Sequence, residues 1–570
     1  MADQIAIENL LDSKNGQDPI EFSEENWAWL SDTNQGQYGS NQIFFDTSNL
    51  SQNDSFFRWS EAYLVMPTIT QVTVGISVNA AASVVVSTGA VPYGVVPKSG
   101  AFNMVHQVQT QLDNKQIPQP YPFQNEVANV KSLEEMSTDS VNFLGSIKGV
   151  CPDTGNSWAY QASSTATAYQ GYTNNRISLR SGTSGSAIYT GYSAGTFAGV
   201  NLGLQKRAEY TANAPANPYQ SLITGSYGVS NLVGKNSYFY DATGGAHYWI
   251  ANQVIPLKDI SDIHKSLDFP VKALKQNLTI YTNAGSCAVT IVQATISTAA
   301  FNFDFAKVAS SSFLGTSPYM MTNVLFDGIV PAANSTALNV YTASMKVQIA
   351  TGFSAFNGGV AVAPMLTQCR LYVPYCKLPA RLYRSIPTKK QVVFRDYVNV
   401  ISSNVSGNIN VQLANMVPNL KRVIALFYVS SAGNTTMQPV TPLLSPLADG
   451  NPSPAFVTNE NLLLNNIPFK RIAVNYQHEA FMQDLRTSTL NGGENDTICS
   501  GLINSFDFGS LYSGMKIWDV SRNPAIVSSN QSVQVSYQGT LQTLLPVDIH
   551  WFLECEKTCV LDTMTGQIIS

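Results

Sequence analysis

Charge is what this sequence has least of. Asp, Glu, Lys and Arg make up 12% of its 570 residues, against about 25% in an average soluble protein. Hydrophobic content is ordinary at 44%, so the polarity sits in uncharged Ser, Thr, Asn, Gln and Tyr. Intrinsic disorder needs low hydrophobicity with high charge, which excludes it here. Lys plus Arg is 32, Asp plus Glu is 37 and the net charge is −5. No Arg-rich tail exists at either end, so no sequence-specific nucleic-acid binding is expected. Histidines number five, with no His-x-His pair and no His-Glu-x-x-His, so no metal centre and no cofactor are expected. Seven cysteines are too few for a disulfide framework. With no secretory leader at the start, they read as reduced thiols. No run of about 18 apolar residues exists, so no membrane-spanning helix is expected.

The charge that is present is unevenly placed. Residues 1–40 hold eight acids and one base, Lys14, a balance of −7 that leaves +2 for the other 530 residues. This acidic stretch also carries two apolar clusters. Ile5, Ile7, Leu10 and Leu11 form one; Phe22, Trp27, Trp29 and Leu30 form the other and are candidate anchors of an N-terminal arm.

The dominant period along the rest of the chain is two. Val72, Val74, Ile76 and Val78 alternate with polar or small residues. So do Val392, Phe394, Val398 and Val400, then Ile409, Val411 and Leu413, then Val533, Val535 and Tyr537, then Ile549, Trp551, Leu553 and Cys555. Each run predicts a strand with one face in a core. Many such strands at short intervals predict an all-β sandwich or barrel. Helical signals are few. Ile260, Ile263 and Leu267 share a helical face, with Asp259 as N-cap and Pro270 as stop. Val127, Val130, Leu133 and Met136 predict a second helix, and Phe481, Met482 and Leu485 a weak third.

Element order repeats. His247–Ile250, then Asn277–Thr282, then residues 367–376 follow the same sequence as Met515–Trp518, Gln531–Gln538 and 548–559. The repeat places a boundary near residue 385, in a basic linker with Arg381, Arg384, Lys389 and Lys390. Three stretches read as long loops: 154–234, 300–366 and 431–466. The first carries only five charged residues but eight tyrosines: Tyr160, Tyr169, Tyr172, Tyr189, Tyr192, Tyr210, Tyr219 and Tyr227. An aromatic, low-charge segment of this length suits a contact surface between subunits, or a loop packed on itself.

Catalytic motifs fail on context. Gly191-Tyr192-Ser193-Ala194-Gly195 matches a nucleophile elbow, but lies in a Gly/Ser/Tyr-rich stretch without the flanking strand and helix. Gly228 to Asn236 imitates a P-loop, with the glycines one residue too far apart and Asn236 where a Mg²⁺-binding hydroxyl is needed. Cys555 and Cys559 share a strand face with Trp551 and predict core packing rather than zinc ligation. Cys369 and Cys376 fall on opposite faces. The adjacent acids Glu24-Glu25 and Glu134-Glu135 read as solvated. No catalytic residue is expected.

Five ordered segments carry a family resemblance: 56–69 (FFRWSEAYLVMPTI), 142–155 (NFLGSIKGVCPDTG), 255–283, 368–397 and 547–567. Together they resemble the double jelly-roll major capsid proteins of double-stranded DNA viruses, of the Polinton-like virus, adintovirus and virophage type, with adenovirus hexon more distant. In that resemblance, 56–69 is the opening strand of the first barrel. It implies two tandem eight-stranded jelly rolls: an acidic arm over 1–43, a first barrel over 44–385, a second over 386–562 and a tail over 563–570. It also implies homotrimeric capsomers, with the three long loops as towers that touch neighbouring subunits. The partners implied are further copies of the chain, penton and minor capsid proteins and, as a further candidate, an inner membrane, with the host receptor unknown. The implied location is the virion. The rival reading is a secreted or surface β-sandwich that binds carbohydrate through aromatic loops.

Overall fold

The computed structural model describes residues 24–50, 55–77, 85–86, 93–152, 159–161, 171–173, 176–178, 237–241, 246–292, 305–314, 317–325, 329–330, 340–349, 368–378, 386–429, 457–475, 479–480, 482, 502, 515–521, 532–542 and 546–569.

In chain order the first half supplies β1 (Glu24–Ser31), β2 (Gln42–Asp46), β3 (Tyr63–Ser77), β4 (Val105–Leu112), β5 (Lys115–Gln116), β6 (Ala246–Pro256), β7 (Gln276–Thr282), β8 (Gly285–Val292), β9 (Phe305–Ser311), β10 (Val340–Ile349) and β11 (Arg370–Lys377). The second half supplies β12 (Lys389–Val405), β13 (Asn408–Val417), β14 (Leu420–Val429), β15 (Val457–Leu464), β16 (Ile467–Pro468), β17 (Met515–Asp519), β18 (Val533–Leu541) and β19 (Val547–Asp562). Four helices are used below: α1 (Gln124–Glu135), α2 (Thr138–Lys148), α3 (Leu257–Ile260) and α4 (Asp262–Ser266).

The second half pairs as β12-β19-β14-β17 and β13-β18-β15-β16. Counting its strands one to eight, the orders are 1-8-3-6 and 2-7-4-5, the pairing of a jelly roll. The first half repeats it. β1-β11-β3-β6 and β2-β7-β4-β5 are again 1-8-3-6 and 2-7-4-5 when β11 is counted eighth. β10, β8 and β9 extend the first of these sheets along the far end of β3. Every pair in both barrels is antiparallel. Strands therefore alternate in direction, and connections after odd-counted strands leave each barrel at one end. The long connections 78–104, 117–245 and 283–369 all leave the first barrel at that end, as 430–456 and 469–514 do the second.

Each barrel buries the inward residues of its two sheets. In the first, Leu64, Met66, Val347 and Leu371 meet Ile43, Phe45, Val108, Leu278 and Ile280. In the second, Trp551 is the centre. Its ring stacks on Trp518 at 6.3 Å and meets Tyr537 at 4.7 Å, and Val535, Leu462 and Phe427 close around them. Aromatic side chains supply large buried areas per residue, which suits a small barrel interior.

The structure changes several details of the sequence reading. The first barrel opens at β1, eight residues paired in unbroken register with β11; the 56–69 segment leads into its third strand. Trp27, Trp29 and Leu30 therefore sit on a barrel strand. Residues 457–464 are the fourth strand of the second barrel and not part of a loop. The helix expected around Ile260 is two short helices, broken where Ser261 takes an extended conformation. Asp259 lies inside α3 rather than capping it. The apolar face survives the break, and Ile260, Ile263 and Leu267 are all buried. α2 has no counterpart in the sequence reading. Ser137 caps it by accepting from the Ser140 N–H at 3.1 Å, and Gly149 ends it at φ 68°. A left-handed C-terminal residue of this kind favours glycine. Val398, expected in the core, is 43% exposed, because Tyr397, on the opposite face, is the residue buried at this level. Of the third expected helix, Phe481 and Leu485 lie outside the described residues.

Candidate assembly surfaces and the inter-barrel joint

Most of the tyrosine segment lies outside the described residues, including Tyr169, Tyr189, Tyr192, Tyr210, Tyr219 and Tyr227. Tyr160 and Tyr172 stand directly opposite each other in a two-stranded ladder of 159–161 with 171–173. Phe22 also lies outside the described residues. On β1 the period of two is plain. Ala28 and Leu30 turn inward against the first core, while Trp27 and Trp29 are 48% and 52% exposed. Their rings are nevertheless held. Trp27 lies 5.4 Å from Tyr63, which stacks on Tyr372 at 5.0 Å, and the Arg370 guanidinium lies 4.4 Å from the centre of Trp29.

The two barrels meet across the sheet β12-β19-β14-β17. Ile549, Trp551, Leu553 and Cys555 of β19 point into the second barrel. The residues between them, His550, Phe552 and Glu554, point the other way, toward α1. Ile424, Leu426, Tyr428, Met515 and Ile517 share that second face and join the first barrel's core cluster. β14, β17 and β19 are therefore covered on both sides, which explains the near-continuous burial of β19, while the edge strand β12 stays partly exposed.

α1 carries the first barrel's half of the joint. Val127, Val130 and Leu133 bury themselves in the first core, and the helix is pinned where the Val108 N–H donates to Gln124 Oε1 at 2.7 Å. Its other side presents Glu126 and Glu134. Arg422 of β14 donates from Nη1 to both oxygens of Glu134, at 2.8 and 2.9 Å, and from Nη2 to Glu554 Oε2 at 2.6 Å. The Tyr397 hydroxyl donates to the same Glu554 oxygen at 2.9 Å, and Arg395 reaches its Oε1 at 3.3 Å. Lys131 pairs with Asp262 and lies over the Tyr397 ring. Tyr121 packs on Tyr397 and Phe552. A few residues away, His550 Nδ1 lies 2.7 Å from Glu126 Oε2, between the rings of Phe123 and Tyr428.

The electrostatics follow from counting partners. Burial pushes both Glu134 and Glu554 upward. Glu554 has Arg422 and Arg395, and its pKa ends below the ordinary carboxylate value. Glu134 has Arg422 alone, with Glu554 and Glu135 as like charges nearby, and burial wins, leaving it raised. Burial would lower His550, but the Glu126 charge and hydrogen bond, with Asp548 behind, leave it raised. A buried charge kept this way must be paired, since an isolated one would neutralise.

The C-terminal tail straps the joint. Thr563 accepts from the Lys272 N–H at 2.8 Å, Lys115 Nζ donates to the Ile568 carbonyl at 2.9 Å, and Ile568 is buried in the first core. Gly566, at φ 69°, is packed so closely that a Cβ there would lie 2.5 Å from the backbone of Leu274.

Sequence reading missed this joint. Glu134, read as solvated, is buried, although its neighbour Glu135 does pair at the surface with Lys265. Glu24 and Glu25 pair at the surface with Lys377 and Arg58. Cys555 and Cys559 are free and buried, but they serve different cores, Cys555 the second barrel's and Cys559 the cluster shared with the first. The signal that could have been read is the even-numbered set His550, Phe552 and Glu554 on a strand too long and too apolar to have a wet side.

No family model and no curated protein matches the sequence. Solved structures match the chain in fold. A chain of the Sputnik virophage, determined by cryo-electron microscopy, superposes with a TM-score of 0.52 at 10% identity, over 96% of this chain and 88% of that one. The mavirus major capsid protein gives 0.44 at 8% identity, over 97% and 91%. The Faustovirus major capsid protein gives 0.40 at 10% identity, over 98% and 97%. The Sputnik likeness and the repeated strand pairing agree on the fold, a double jelly roll.

Proposed function

We propose that this chain is the major capsid subunit of an icosahedral double-stranded DNA virus, and that three copies form a pseudo-hexagonal capsomer. One observation carries the reading: two barrels of identical strand pairing are fused by a joint buried on both sides. Two rigidly joined barrels in each of three copies give six wall positions, so a three-fold particle fills a six-fold site. The fold shared with the Sputnik virophage chain supports it.

The long connections are the second support. All leave each barrel at its odd-strand end, where 154–234, the parts of 300–366 outside β9 and β10, and residues 431–456 would stand as towers. Tyr160, Tyr169, Tyr172, Tyr189, Tyr192, Tyr210, Tyr219 and Tyr227 are the proposed contacts between neighbouring subunits, where aromatic and low-charge surface binds with little desolvation cost. Phe22, Trp27, Trp29 and Leu30 are proposed to anchor residues 1–23 as an arm. Penton proteins, minor capsid proteins and an inner membrane are the partners this reading assigns beyond the chain itself. Its place is the virion and its role is structural rather than catalytic.

Electron-microscope images of the purified protein test this. Three-fold particles of hexagonal outline are expected. A field of single two-lobed particles at every concentration would overturn the reading.

A further inference from the structure

A cleft of about 510 Å³ opens at the even-strand end of the first barrel. Trp27, Tyr63, Val254 and Pro256 form its apolar wall, and Lys148 and Lys258 stand at its side. The two lysines lie close enough that the charge of Lys148 adds to burial in lowering the pKa of Lys258. Glu61 also lines the cleft, and Asp259 sits 3.5 Å from Lys148. The cleft is thus an aromatic and aliphatic wall with two lysines at its side, Lys148 beside Asp259 and Lys258 in the field of Asp259 and Glu61.

The chain itself holds a segment of matching chemistry. Residues 1–23 carry Asp3, Glu8, Asp12, Asp18 and Glu21 against Lys14, five acids and one base, for a charge of −4. Interspersed are Ile5, Ile7, Leu10, Leu11, Ile20 and Phe22. The segment also joins the barrel at the right place. β1 and β3 run the same way, because both pair antiparallel with β11. Glu24 therefore enters at the end where Tyr63 begins β3, the end that holds the cleft. Glu25 pairs with Arg58, and Arg58 with Glu61 of the cleft wall.

We infer that this cleft is the docking site for the acidic, apolar residues 1–23 of this chain, the apolar side chains lying on Trp27 and Tyr63 and the carboxylates facing Lys148 and Lys258. In a lone subunit the chain's own segment fills it, since a tethered ligand acts at high effective concentration. Exchange of the same segment between neighbours would turn it into an inter-subunit tie, as in domain swapping. The inference stands on the cleft and the charges and holds whether or not the protein builds a shell.

Cysteine cross-linking in the full-length protein tests it. Leu10→Cys is combined with Ser60→Cys, since Ser60 lines the cleft, and as a control with Asn408→Cys, which is exposed on the second barrel. Under a mild oxidant the Leu10/Ser60 pair is expected to join at least about tenfold faster than the control, the advantage of a docked over a colliding segment. On a non-reducing gel a shifted single-chain band means the segment is the subunit's own, and a double-mass band means a neighbour's; either supports the inference. Adding Lys258→Glu should slow the reaction several-fold. Equal rates for the two pairs, in protein whose Ser60→Cys thiol reacts with maleimide and whose melting is unchanged, would overturn it.

Discussion

Arg422 of the second barrel grips Glu134 of the first at 2.8 Å, across 288 positions of sequence. The same guanidinium holds Glu554 of its own barrel. One cation therefore serves two buried carboxylates on opposite sides of the joint.

Removing that cation takes from Glu134 its cationic partner and leaves Glu554 with Arg395 and the Tyr397 hydroxyl. Arg422→Ala is expected to cost about 3–5 kcal/mol, the usual penalty for leaving a buried ion without its partner. Because the loss is at the joint, urea unfolding should split from one transition into two. The triple variant Arg422→Met, Glu134→Leu and Glu554→Leu should restore part of the loss, since apolar replacement of buried ion partners is often neutral while Arg395 and Tyr397 still lose Glu554. A single unchanged transition in Arg422→Ala would show that the barrels hold together without the network.

Mild acid should weaken the first barrel. Burial lowers His264 and His106 to about 4 each, below the 6.5 of an exposed histidine. Their neutral forms are favoured in the fold, so their contribution is complete above pH 6.5 and is lost as pH falls toward 4. Each is worth on the order of 1–2 kcal/mol between pH 7 and 5. His264→Gln should flatten the urea midpoint across that window, which lies above most carboxylate titration.

His550 predicts the opposite slope at the joint. Its raised pKa means its protonated pairing with Glu126 stabilises the fold below pH 6.5 and is lost as pH rises through the folded-state value. Either His550→Gln or Glu126→Gln should abolish that part of the alkaline loss. Equal pH profiles for wild type and both variants, measured by urea midpoint from pH 6 to 9, would contradict the pairing.

Gly566→Ala should loosen the tail. The added methyl meets the backbone of Leu274 at 2.5 Å, where no flexible side chain can yield, and φ of 69° is strained for alanine. Faster hydrogen exchange of the Thr563 to Ile569 amides and of the Lys272 N–H is expected, with the second barrel's core unchanged.

Periodicity made the barrels legible. Val533, Val535 and Tyr537 alternate with polar residues and are all buried in the second core, and the repeat of element order matches the sixth, seventh and eighth strands of both barrels. What eluded pattern reading were places where two surfaces cover one element. The even face of β19 reads as wet only if nothing packs on it, and Glu134 reads as solvated until Arg422 arrives from the other half of the chain. β1 was obscured differently. Its run from Glu24 to Ser31 pairs with residues 370–377, and its acidic setting resembles that of the tail before it. Long-range pairing fixes such strands, and local sequence carries little trace of it.

The central claim is that this double barrel assembles by threes. Light scattering on the purified full-length protein tests it most directly. Three chains of 61.8 kDa give a particle of about 185 kDa, with loss of mass on replacing the tower tyrosines by serine, as expected when aromatic anchors leave an interface. A mass that stays at 61.8 kDa as concentration rises would contradict it.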